Sequence, residues 1–212
     1  ADFSNTDLEN ADFGFTIIVG ANFNGASLKN AVFTRSIITS SDFSSADLTN
    51  VNLSTAKISN TKFTNADLSN SEFLGASLSH IDFNDANLEN SIFDNTIIIN
   101  ADMKNVKVWK NMKMSEVYFF NTDFNGVDFS EIVFGHQNAF AGSDFRNSNL
   151  PILQLVDTDF SSKEASWAEG NNPSEEIFVK GANLSNLDFS NTDMSEVIFS
   201  YQNFFEDYLQ SS

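Results

Sequence analysis

The sequence predicts an all-β solenoid of square cross-section, and three observations predict it. A large apolar side chain occupies every fifth position of the first 110 residues. Two places before it usually stands Ala, Ser, Thr or Val. The kind of apolar residue then recurs every twenty. Phe3, Phe23, Phe43, Phe63, Phe83 and Met103 form one row, and Leu8, Leu28, Leu48, Leu68 and Leu88 a second. Phe13, Phe33, Leu53, Phe73 and Phe93 form a third, and Ile18, Ile38, Ile58, Leu78 and Ile98 a fourth. A fixed period of about 20–50 residues marks a repeat architecture.

A spacing of five suits neither regular element. In a helix it carries the Phe and Leu set around the whole cylinder, and in a straight strand it sends successive members to opposite faces. It works only where the backbone turns a corner every five residues. Within a unit the small and large residues are two apart, so both face inward and the polar residue between them faces out. Recurrence at twenty closes four sides into one coil, and stacked coils lie about 4.8 Å apart. The corners fall to outward Asn, Ser, Asp and Thr, which bond locally to backbone.

The whole chain, 1–212, reads as one such solenoid with four interruptions. The register slips by one residue near 108–113, with Asn111 or a neighbour the additional residue of a bulge. Units then resume with Phe119, Phe124, Phe129 and Phe134 inward. The stretch 135–142 is irregular, and Phe145, Leu150, Leu155 and Phe160 restore the pattern. Residues 162–177 lack the repeat and hold Trp167, Pro173 and four acids, which predicts a loop projecting from one corner. At 202–209, Phe204, Phe205, Tyr208 and Leu209 fall at helical spacings and predict a short C-terminal helix. An open last coil exposes core and strand edges, so this helix is read as a cap, a dimer seam, or both.

Composition agrees. Twenty-three Phe against three Tyr and two Trp suits a dry interior, because buried Tyr and Trp need hydrogen-bond partners and Phe does not. With no cysteine there is neither a disulfide framework nor a Cys-ligated metal site. No run approaches a membrane span. The chain opens at Ala1 inside a repeat, the mark of one processed, trimmed or excised from something longer, and its compartment is not readable. Net charge is −18, which argues against direct nucleic-acid binding and for a basic partner. Residues 1–103 carry 13 acids and 4 bases, and the remainder beyond Lys113 carries 16 and 3. Between them Lys104, Lys107, Lys110 and Lys113 form a basic girdle.

The segments ADLTN (46–50), ADLSN (66–70), ANLEN (86–90) and ANLSN (182–186) carry a resemblance to the pentapeptide-repeat family, whose unit is written A(D/N)LXX. The register is sustained over 22 consecutive units and the resemblance covers about four fifths of the chain. It implies a right-handed quadrilateral β-helix. The best understood members of that family are quinolone-resistance and self-immunity proteins that bind DNA gyrase or topoisomerase IV. They are dimers joined through C-terminal helices, and some need a projecting loop. This chain differs in lacking inner cysteines and in placing its long loop late, so no loop residue's role is carried over.

No catalytic constellation emerges. His80 and His136 are far apart at outward or loop positions, and no nucleophile motif, phosphate loop or calcium-loop spacing is present. The expectation is a non-enzymatic protein without cofactor or bound metal. One reading is an acidic rod that mimics DNA and docks on a type II topoisomerase, with outward Asp42 and Asp47 as candidate contacts and Trp167, Glu175 and Glu176 as candidates in the loop. That reading implies a homodimer through the C-terminal helix and a cytoplasmic location. The alternative is a protein-interaction or structural rod, secreted or effector-like, with no topoisomerase role. Its candidate surface is outward Ile92, Ile97 and Ile99 beside the girdle. Outward Ile17, Val32 and Ile37 are read as β-branched residues suited to a strand surface.

Overall fold

The computed structural model describes residues 1–106, 110–129, 138, 140, 143–145 and 148, together with the backbone of 133–134, 163–164 and 178–179. The loop residues Trp167, Glu175 and Glu176 lie outside the described residues. So does the expected helix with Phe204, Phe205, Tyr208 and Leu209.

Each five-residue unit does one thing. Its first and third residues enter the core, as Ala21 and Phe23 do at 4% and 0% exposure. Its second residue bridges to the coils above and below, and its fourth and fifth turn the corner. The fifth residue is left-handed almost everywhere: 21 non-glycine residues have φ between 49° and 60°, and 13 of them are Asn. Asn reaches this region at less cost than most side chains, because its short amide bonds locally.

The coils stack in parallel. On the first three sides contact is by single bridges twenty residues apart, such as Asp2–Asn22–Asp42, Asp7–Ser27–Asp47 and Asp12–Val32–Asn52. The corners there close with a turn hydrogen bond, as from the Ala26 N–H to the Phe23 carbonyl at 3.0 Å. On the fourth side the ladder lengthens into strands β1 (Ile17–Val19), β2 (Ile37–Thr39), β3 (Lys57–Ser59), β4 (Ser77–Ser79) and β5 (Ile97–Ile99). Two-residue β6 (Lys113–Met114) precedes β7 (Tyr118–Phe120), which completes a six-stranded parallel sheet in the order β1-β2-β3-β4-β5-β7. At its first two corners the turn N–H bonds a hydroxyl one coil on: Ala21 N–H to Ser41 Oγ at 3.2 Å and Ser41 N–H to Thr61 Oγ1 at 3.5 Å.

The interior is two facing Phe columns with Leu and Ile between. Phe3, Phe23, Phe43, Phe63 and Phe83 stack with centroids 4.6–5.4 Å apart. Phe13 stacks on Phe33 and Phe73 on Phe93, at 4.8 and 4.4 Å. Edge-on contacts such as Phe33–Phe43 at 5.9 Å join the two columns. Burial of this kind contributes about 1.5–3 kcal/mol per ring.

The register changes as one inserted residue requires. Partners are twenty apart up to Asp82–Asp102, then 21 apart at Ile92–Lys113, Ile97–Tyr118 and Asp102–Asp123. Val106 still holds the twenty-residue place, closing its turn on Met103. Lys110, whose carbonyl accepts from the Asn90 N–H, already holds the shifted one. The additional residue therefore precedes Lys110, and Asn111 is an ordinary corner with φ 56°. A second shift follows. β6 pairs with β8 (Val133–Phe134) at a spacing of twenty, whereas Phe119 stacks on Phe140 at 5.1 Å, 21 residues on. Phe140 is fully buried and takes the place of a fourth-side core residue inside the stretch that reads as irregular. Farther on, β9 (Lys163–Glu164) pairs antiparallel with β10 (Phe178–Val179), bracketing 165–177.

Candidate functional site

The outward second position of the repeat has a structural duty that its sequence conceals. Its side-chain oxygen accepts the backbone N–H two residues on, fixing the approach to the corner. Ser44 N–H donates to Asp42 Oδ1 at 2.8 Å, and Thr49 N–H to Asp47 Oδ1 at 3.2 Å. Twelve such bonds occur among the described residues. Nine acceptors are Asp, and three (Asn22, Asn52 and Asn87) are Asn. The geometry needs an acceptor and not a charge, since Asn makes the same bond. The preference for Asp is an addition to what the coil requires.

These carboxylates are unequally shared among the sides. The first side carries Asp2, Asp42, Asp82, Asp85, Asp102, Asp123 and Asp144 against Lys62 and Lys104. The second carries Asp7, Glu9, Asp47, Asp67, Glu89 and Asp128 against Lys29 and Lys110. The third has Asp12, Glu72, Asp94 and Glu116 with Arg35 and Lys113. The fourth side, from Thr16–Gly20 through Val117–Asn121, has no carboxylate and one lysine, Lys57.

Asp42 and Asp47 stand on adjacent sides of one coil, both half-buried. Burial pushes the Asp47 carboxyl up, but hydrogen bonds from the Thr49 hydroxyl and amide and from Lys29 outweigh it and hold the group below its ordinary value. Lys29 Nζ lies 3.2 Å from Asp47 Oδ2, and that hydrogen bond, then the charge, raises the lysine. Lys104 Nζ lies 3.1 Å from Asp123 and 3.3 Å from Asp102, tying two coils together and rising in pKa through the Asp123 bond first. Part of the girdle is thus consumed internally. Lys110 and Lys113 are exposed, on the second and third sides.

The isoleucine trio does not form one outward surface. Ile92 bridges Glu72 and Lys113 on the third side, whereas Ile97 lies in β5 on the fourth. Ile99 is fully buried although its strand position points away from the core, and the adjoining Phe120 is buried with it. Most of the exposed large apolar groups lie at the other end, Phe15 at 74%, Ile17 at 73%, Val19 at 66% and Ile37 at 42%, and Leu74, at 47%, stands apart from them on the third side. Among the two histidines, His80 is a left-handed corner whose ring lies 2.8 Å from Ser79 Oγ and 3.1 Å from Asn100 Nδ2. Among the described residues no three His, Cys, Asp or Glu side chains gather as a metal site.

Comparison with known proteins agrees with this architecture. A family profile described as a pentapeptide repeat region matches residues 16–93, and one described as pentapeptide repeats (8 copies) matches 176–203. No curated protein matches the chain. Among solved structures, a pentapeptide repeat protein of the Arabidopsis thaliana thylakoid lumen is 35% identical over 40% of this chain, with a TM-score of 0.34. The match spans 63% of that protein's length. QnrB1, a plasmid-mediated fluoroquinolone resistance protein, superposes with a TM-score of 0.55 over 99% of this chain and 93% of its own, at 14% identity. HetL of the cyanobacterium Nostoc, involved in heterocyst differentiation regulation, is 19% identical over 75% of this chain and 74% of its own, with a TM-score of 0.32. The five-residue unit, its left-handed corners, the parallel stacking of square coils and the two matched profiles lead to one assignment: the chain belongs to the pentapeptide-repeat family.

Proposed function

We propose that this protein is a non-enzymatic acidic binding rod whose first and second sides dock in a basic groove that otherwise holds DNA, that of a type II topoisomerase being the leading candidate. The observation that carries the reading is the choice of Asp over Asn in nine of twelve positions where either completes the turn. Nine such Asp over about seven coils of about 4.8 Å give one carboxylate per ~3.7 Å of axis. That density is close to the ~3.4 Å per phosphate of one DNA strand and about half that of the duplex. The fold shared with QnrB1, a fluoroquinolone resistance protein, is consistent with this reading.

The test is a pull-down against gyrase and topoisomerase IV, followed by a supercoiling assay over a salt series. Inhibition should weaken steeply with salt, as charge pairs across a wet surface do. Asp42→Asn with Asp47→Asn keeps both turn acceptors and removes two charges. It should weaken inhibition about two- to five-fold per charge at low salt and leave thermal unfolding nearly unchanged. Substitution of Trp167, Glu175 and Glu176 tests the loop separately, and an effect confined to it would favour one docking site over the rod. No binding to either enzyme by the folded protein would leave the interaction-rod alternative.

A further inference from the structure

The fourth side of the coil has no place in the charge-based reading, and its chemistry is the reverse of its neighbours'. It is the side with the longest continuous ladder, a parallel sheet of six strands where the others pair mainly by single bridges. It alone lacks carboxylates among the described residues. At its first two coils Ile17, Val19 and Ile37 project into solvent, flanked at the corner by Phe15, whose ring lies 5.5 Å from the Arg35 guanidinium. Isolated exposed apolar residues are ordinary, but a contiguous group on one flat face marks a contact.

We infer that this patch is a self-association surface, and that its occupant is the same patch of a second copy. The argument is charge. Two chains of net charge −18 that meet through the first, second or third side bring columns of carboxylates together. Only the fourth side lets them approach without like charges in the contact. A twofold arrangement sets Ile17 and Val19 of one copy against the same apolar group of the other, with the sheets about 10 Å apart. The patch is small. A contact burying less than about 1,200 Å² in total belongs to the weak, transient class, so the dimer forms with rising concentration. Added salt strengthens it, because the remaining sides repel through solvent and are screened. The contact is independent of the topoisomerase reading and of the C-terminal seam.

The chain has no cysteine, so single thiols report contact without background. Ile37→Cys on the fourth side, Asp47→Cys on the second and Leu74→Cys on the third are oxidised mildly at high protein concentration. Ile37→Cys should form interchain disulfide about tenfold faster than the other two, because docking raises the effective concentration of its thiols. Sedimentation equilibrium should give a monomer–dimer equilibrium that tightens with salt, and the pair Ile17→Glu, Val19→Glu should be monomeric. These positions face solvent, so circular dichroism and melting should match wild type. Equal cross-linking at all three cysteines would overturn the proposal, as would a wild type monomeric at millimolar concentration. So would an association that survives the glutamate pair and disappears in Phe205→Glu, Tyr208→Glu.

Discussion

Replacing Phe43 by Ala removes the middle of a column. The ring is 1% exposed, with Phe23 stacked 4.6 Å on one side, Phe63 5.2 Å on the other and Phe33 edge-on at 5.9 Å. Truncation of a buried Phe costs about 3–5 kcal/mol through lost transfer energy and the cavity left behind. Three ring contacts, each about 0.5–1.5 kcal/mol beyond area, place this site toward the upper end. The cavity collapses poorly, since each coil is held by backbone bonds to its neighbours, such as Phe23 N–H to Asp42 C=O at 2.7 Å and Phe43 N–H to Lys62 C=O at 2.8 Å. Phe3 is the internal comparison. It belongs to the same column but is half-buried, with one stacked partner at 5.0 Å and one edge contact at 6.4 Å. Phe3→Ala should cost about 1–2 kcal/mol. Urea unfolding followed by circular dichroism measures both. Native-state hydrogen exchange is the sharper assay, because solenoid coils interact mainly with neighbours and cooperativity can break. Protection should fall first around the Phe23, Phe43 and Phe63 amides. A cost below about 1.5 kcal/mol for Phe43→Ala, or one equal to that of Phe3→Ala, would refute the column as the main stabilising element.

Three further outcomes are expected. Asn50→Ala should cost about 1–2 kcal/mol more than Asn50→Gly, because the site has φ 59° and both changes equally remove the Asn50–Asn30 side-chain bond of 3.2 Å; equal melting temperatures would contradict this. Ser71 Oγ is buried without a hydrogen-bond partner, whereas Ser91 at the corresponding place donates to the Leu88 carbonyl at 2.7 Å. Ser71→Ala should therefore be neutral or stabilising and Ser91→Ala should cost about 1 kcal/mol, read from urea midpoints. For Asp47 the folded pKa lies below the ordinary 3.8, so its contribution is complete above that value and is lost as pH falls through the depressed one. Asp47→Asn should therefore lower stability by a small constant amount above about pH 5 and remove the loss that wild type shows as pH falls through the depressed pKa, and an unchanged slope in that acid window would be inconsistent with it.

Much of the coil can be read from residue order, because the inward positions repeat identity as well as polarity. Phe3 to Phe83, Leu8 to Leu88 and the Ile18 row all stand where a period of twenty sets them. Single-residue insertions are harder. In VKVWK, both Val108 and Trp109 satisfy the apolar rule, so the slip can be slid along the sequence without penalty, and only the Val106 and Lys110 backbone bonds bound it. Phe140 was concealed for the same reason, since its stacking on Phe119 is visible only at a spacing of 21. The isoleucine surface failed because orientation from strand parity does not reveal what covers an outward face, and Ile99 is buried on one. The charge pattern was legible in principle. Sorting the acids by side, rather than along the chain, exposes the carboxylate-free fourth side of residues 16–121 without any coordinates.

The turn-to-turn register has a consequence for how such a molecule changes length. Every ladder from Asp2–Asn22 to Asp82–Asp102 joins residues one whole coil apart. Removing twenty consecutive residues, for example 41–60, therefore brings Phe63 onto Phe23 and Lys62 beside Asn22, and every remaining column closes over the gap. Removing nineteen or 21 there would rotate the core residues out of their columns for the whole downstream stack. The backbone thus works as a ruler graduated in whole coils of about 4.8 Å. The shift between Val106 and Lys110 is the one place in the first six coils where the graduation differs, so an excision across it preserves the ladder only if it removes 21 residues.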